Sequence, residues 1–149
     1  MTRIMLALTT ALMLMGATAA SAQSFGTAAE AKAMLEKGMA ALKADKAAAL
    51  AAFPKTDGGF RDRDLYVFCY NTSDGKFTAH PNPALMGTDV RALKAGDDVF
   101  GVRIFAAAKP DAVATVNYDF PKPGTTNPVP KESYVSVVGD QGCGVVYYK

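Results

Sequence analysis

Lys122 and Lys131 are the side chains best placed to do chemistry. They stand in the run Tyr118 to Val135, Y-D-F-P-K-P-G-T-T-N-P-V-P-K-E-S-Y-V. Tyr118, Phe120 and Tyr134 flank them, so a positive charge is offered beside aromatic walls. A pocket for a small anion can be built that way. The plain alternative is a proline-rich connection with solvated lysines, because lysine is usually exposed. Pro121, Pro123, Pro128 and Pro130 each fix φ and remove a backbone donor, so the segment is expected to be a rigid loop, neither helix nor central strand. Gly124 supplies its permissive joint.

His80 is the only histidine, and it precedes Pro81-Asn82-Pro83. It can donate to a carboxylate, act as a general base, or cap a turn. With no second histidine or thiolate cluster beside it, a metal centre of three or four ligands is not expected. The nearest approach to paired acids is Asp62/Asp64 and Asp97/Asp98. The second pair precedes an expected helix, where capping explains carboxylates well. The sequence holds no G-x-S-x-G, phosphate loop or H-E-x-x-H, so neither catalysis nor a cofactor is expected. A thiol-dependent enzyme using Cys69 or Cys143 is the remaining catalytic alternative.

The elements that must position these groups follow from patterning. Residues 1–22 carry Arg3, an apolar run from Ile4 to Met15 and the exit Ala20-Ser21-Ala22, the pattern of a cleaved secretory leader. Residues 23–149 are then one exported domain, periplasmic or secreted, with no later run long enough to enter a membrane. A net charge of +2 with no basic run gives no footprint for nucleic acid. Thr27-Ala28-Ala29-Glu30 is a capping box that opens a helix over Ala28–Lys43. Asp45 caps a second over Lys46–Phe53, which Pro54 and Asp57-Gly58-Gly59 end. Strands are predicted over Leu65–Tyr70, Lys76–His80, Val113–Tyr118, Ser133–Val138 and Cys143–Tyr148, with a helix over Val99–Lys109 between the second and third.

The lysine-bearing run, P-K-P-G-T-T-N-P-V-P-K-E-S-Y-V, joins an upstream block, D-L-Y-V-F-C-Y-N-T-S-D-G-K-F-T-A-H-P-N-P-A-L-M-G-T-D-V. In order and spacing the two resemble the single Cache domain family, type 2, of bacterial extracytoplasmic sensors. The resemblance spans Asp64 to Tyr148. It implies an α+β fold, a PAS-like five-stranded antiparallel sheet with a long N-terminal helix. The first and last strands are neighbours in such a sheet, which makes a Cys69–Cys143 disulfide reasonable in an exported chain; two buried free thiols are the other reading.

The resemblance also implies a ligand pocket on one face of the sheet, lined by Lys131, Tyr134, Tyr118, Phe120 and His80. Lys131 would pair with a carboxylate, the two tyrosine hydroxyls would orient it, and Phe120 would pack on its apolar body. Glu132 stands where the family usually carries an apolar residue. Most relatives are the outer parts of receptors, whereas Lys149 ends this sequence without a transmembrane exit. The chain is therefore expected to bind a small organic acid and to buffer it or present it to a membrane sensor protein. The alternative is a scaffold that docks a membrane sensor or redox partner without a small-molecule site.

Overall fold

A computed structural model describes residues 24–149, so the expected leader at 1–22 lies outside the described residues. The Thr27 hydroxyl accepts the Glu30 amide and the Glu30 carboxylate accepts the Thr27 amide, which starts α1 (Ala28–Ala44) with the expected capping box. Ala31, Leu35, Gly38 and Leu42 recur at helical spacing and form its buried face. Asp45 accepts the Ala48 amide and caps α2 (Lys46–Ala52).

Six strands follow: β1 (Arg61–Asp62), β2 (Leu65–Asn71), β3 (Phe77–Ala79), β4 (Ala114–Pro121), β5 (Pro128–Val138) and β6 (Gln141–Tyr148). They form an antiparallel sheet of order β1-β2-β6-β5-β4, with β3 also paired to β2. This is the PAS-like arrangement, in which the first long strand lies beside the last. The short β1 consists of two exposed residues, with no apolar alternation to announce it.

Alternation along the strands divides the core in two. Leu65, Val67, Cys69, Cys143, Val145 and Tyr147 face α1 and α2. Phe68, Tyr70, Val116, Tyr118, Val135 and Val146 face the other way, toward α3 (Phe100–Ala107) and the 3-10 turn Val90–Ala92. A slip of one residue would exchange the faces, so the pattern holds the register. Gly101 lets α3 rest directly on that turn, because a Cβ there would overlap the Val90 carbonyl.

The proline-rich run departs from the sequence expectation. Pro121, Pro128 and Pro130 belong to strands, and only residues 122–127 form the connection. Pro121 stands opposite Pro128, and Asp119 opposite Pro130. The Pro130 carbonyl accepts the Lys149 amide, so the missing donor of Pro130 also faces away from β4. Each proline thus occupies a position where the β4–β5 ladder asks for no N–H. Pro123 and Gly124 (φ 77°) fill the middle of the turn, closed by the Thr125 amide on the Lys122 carbonyl.

Cys69 and Cys143 are direct partners across β2 and β6 and form a disulfide with Cα atoms 4.1 Å apart. The bond closes a loop of 74 residues in sequence separation. The chain-entropy account assigns such a loop roughly 4 kcal/mol as an upper value. Replacing both cysteines by alanine is expected to lower the unfolding free energy by about 2–4 kcal/mol in a urea titration. A loss below about 0.5 kcal/mol would show that the crosslink contributes nothing beyond packing.

Candidate functional site

Strand register lays down the site row by row. Tyr118, Lys131 and Tyr148 are successive cross-strand partners on β4, β5 and β6. The next row on the same face is Val116, Ser133 and Val146, and the one after it Ala114, Val135 and Gly144. Phe68 lies across from Gly144, where a Cβ would come within 2.5 Å of its ring, so the missing side chain lets that ring close the third row. Above the first two rows lies a cavity of about 670 Å³, walled by α3 and by the segment after β3. Its lining includes four basic side chains, Arg61, Arg63, Lys94 and Lys131, and one acidic, Asp64.

Lys131 is the buried member of that set, 7% exposed. Its ammonium sits 4.5 Å from the centre of the Tyr148 ring, 5.1 Å from Phe120 and 6.0 Å from Tyr66. It donates to the Tyr148 hydroxyl at 3.5 Å, and that hydroxyl donates in turn to the Pro121 carbonyl at 2.6 Å. Among the described residues no carboxylate forms an ion pair with it. Burial brings its pKa down to about 8, while the Asp64 charge works in the opposite direction.

Three of the other expected residues join it. The Tyr118 ring stacks on Phe100 at 4.1 Å, and its hydroxyl shares a hydrogen bond of 3.0 Å with the Ser133 hydroxyl. Burial pushes its pKa up to about 12, so it stays a neutral hydroxyl at physiological pH. Phe120 packs edge-on to Phe100 at 6.1 Å. His80 lines the cavity with its ring against Tyr66 and Phe77. Its Nδ1 accepts the Asn82 amide at 2.9 Å, which makes Nε2 the protonated nitrogen of the neutral ring. Burial pulls its pKa down to about 4. His80 thus caps the turn at Asn82 and at the same time faces the cavity.

Tyr134 does not join them. As the partner of Val145 it points to the helix side of the sheet and stacks on Tyr147 at 5.6 Å. The strand period of two separates it from Lys131, three residues earlier. Glu132 also lies on that side, accepting the Tyr147 hydroxyl at 2.7 Å, so it does not neutralise Lys131. Lys122 stays on the rim, with its ammonium 4.3 Å from the Phe25 ring centre. Asp98 does not cap α3 but takes both terminal nitrogens of Arg103.

Tyr66, Phe68, Phe77, Phe100, Tyr148 and Asp64 are cavity residues that sequence reasoning missed. The strand period of two puts Tyr66 with Phe68 and Tyr148 with Val146 on the cavity face, but β2 and β6 are buried on both faces, so no polar alternation marked that face in advance. Asp64 gave none: its Oδ1 accepts the Gly26 amide at 2.6 Å, while Oδ2 is buried with no hydrogen-bond partner among the described residues. Next to it Arg63 holds the Phe25 carbonyl and the Glu30 carboxylate. Together they dock the chain entering α1 beside the pocket.

Proteins that this chain resembles include chemotaxis receptors and a chemosensory domain. The sequence is 39% identical over 79 residues to the methyl-accepting chemotaxis protein McpP of Pseudomonas putida, a stretch covering 51% of this chain and 14% of that protein. The fold matches a methyl-accepting chemotaxis protein from Vibrio parahaemolyticus with a TM-score of 0.61 at 24% identity, over 80% of this chain and 86% of the other. It also matches a Cache chemosensory domain solved to explain carboxylic acid recognition, with a TM-score of 0.52 at 25% identity, over 80% and 86% of the two chains. The family described as Single Cache domain 2 matches residues 2–146. By that match over nearly the whole sequence, and by the sheet order that accompanies it, the chain belongs to the single Cache domain 2 family of sensor domains.

Proposed function

We propose that the cavity binds a small organic carboxylate, in an exported, non-enzymatic domain that senses or carries this ligand and presents it to a membrane partner. The observation that carries the reading is Lys131, a buried ammonium held among aromatic rings and, among the described residues, without an ion-paired carboxylate. An isolated buried charge is costly, and an anionic ligand removes that cost. His80 Nε2 and the hydroxyls of Tyr66 and Tyr118 supply neutral donors on the same lining, and the exposed Arg61 and Lys94 add positive charge at the rim. The relative that recognises a carboxylic acid supports the same ligand class.

Binding and protonation are coupled through Lys131. A carboxylate remains ionised across neutral pH, whereas the free pocket loses the Lys131 proton above about 8. In isothermal titration calorimetry, affinity is expected to be flat from pH 6 to 7 and to fall roughly tenfold per unit well above 8. Lys131→Met keeps the stem and removes the charge. It is expected to weaken carboxylate binding by roughly ten- to hundredfold at pH 7, as loss of a charge-assisted hydrogen bond does. Equal affinity of the wild type and this variant would rule out Lys131 as the anion partner.

The same residue shapes stability in the absence of ligand. Its folded pKa of about 8 lies below the unfolded value near 10.4, so the unfolded chain holds the proton longer and stability rises with pH between about 8 and 10. Lys131→Met should abolish that rise and gain on the order of 1 kcal/mol at pH 7. His80 acts at the acid end. Its folded value of about 4 lies below the unfolded value near 6.5, so its contribution is complete above 6.5 and is lost as pH falls toward 4. His80→Gln is expected to flatten that acid limb in urea titrations between pH 4 and 7.

A further inference from the structure

The cavity has two chemically different ends. Lys131, with Tyr66 and Tyr148 around its ammonium, forms one. Phe68, Phe77 and Ile104 form the other, in a continuous apolar cluster on which Leu85 and Leu93 pack, and Phe100, stacked on Tyr118, links the two. The volume of this partly open cavity, about 670 Å³, lies within the roughly 300–1,000 Å³ range of sites that take drug-sized ligands. At about 30 Å³ per liquid water it would take on the order of twenty waters. A two- or three-carbon acid seated on Lys131 would leave most of the apolar wall in contact with water.

The charge distribution limits the ligand from the other side. Among the described residues, Lys131 is the one buried cation of the lining; Arg61, Arg63 and Lys94 lie at the exposed rim, and Arg63 is already engaged by Glu30 and Asp62. A second carboxylate at the apolar end would be buried without a partner, which is strongly unfavourable. The walls at that end are aromatic rings set edge to face, Phe77 to His80 at 5.2 Å and Phe68 to Phe77 at 6.2 Å. An inserted ring can join that edge-to-face pattern.

We infer that the preferred ligand is a monocarboxylate with an apolar body the size of an aromatic ring, of which phenylacetate is the simplest probe. The inference rests on the carboxylate reading above and narrows it. The carboxylate meets Lys131, and the ring enters the space between β2 and α3. Leu85, Leu93 and Ile104 then set how long a body fits.

Isothermal titration calorimetry of the purified protein with phenylacetate, propionate and succinate separates the possibilities. Phenylacetate is expected to bind at least tenfold more tightly than either of the others, with the more negative heat-capacity change that marks apolar burial. Propionate or succinate binding as tightly would overturn the inference and leave carboxylate binding standing. No binding of any of the three would overturn both. Leu85→Trp, which fills the apolar end from the segment after β3, is expected to weaken phenylacetate more than propionate; the reverse order would overturn the placement of the ring.

Discussion

The ammonium of Lys131 is the constraint on which the site depends. A charge buried in a low-dielectric interior costs several kcal/mol unless something answers it. Here the rings of Tyr148, Phe120 and Tyr66 and one tyrosine hydroxyl answer it in part. The nearby acids are arranged so as not to finish the task. Glu132 and Asp119 point to the other side of their strands, and Asp64 is tied to the backbone of Gly26. A cation left incompletely matched in a cavity is a standing attraction for a small anion.

Holding that arrangement falls to features outside the cavity. The Cys69–Cys143 bond locks β2 to β6 on the opposite face of the sheet, directly beneath strands that present Tyr66, Phe68 and Tyr148. At the rim, Arg63, in the left-handed region at φ 54°, reaches the Phe25 carbonyl and Glu30. Phe25 packs edge-on to Tyr148 at 5.7 Å, and Tyr148 receives the Lys131 hydrogen bond. The Lys131 charge is thus two contacts away from the segment that leads into α1.

Much of this was legible in the residues. The capping box at Thr27, the Asp45 cap and the switch from helical to strand patterning at Leu65 marked the order of elements, and the two motif blocks pointed to the family. The errors had physical causes. Proline's missing donor costs a hydrogen bond only where the ladder needs one, and parity at Pro121, Pro128 and Pro130 spared it, so an expected loop became strand. Parity also separated Tyr134 from Lys131, a fact readable from their odd spacing once β5 was known to start at Pro128. The contribution of Asp64 comes from a contact 38 residues away in sequence, which no local pattern encodes.

Direct titration of Lys131 by NMR of its side-chain nitrogen or ε-carbon, with and without a saturating carboxylate, tests the central claim. In the free protein the ammonium is expected to titrate near 8, and carboxylate binding should move that value upward, because the ligand supplies the charge that the protein withholds. A value near 10.4 in the free protein, unchanged by the carboxylate, would mean that Lys131 is solvated and that the pocket is not organised around it.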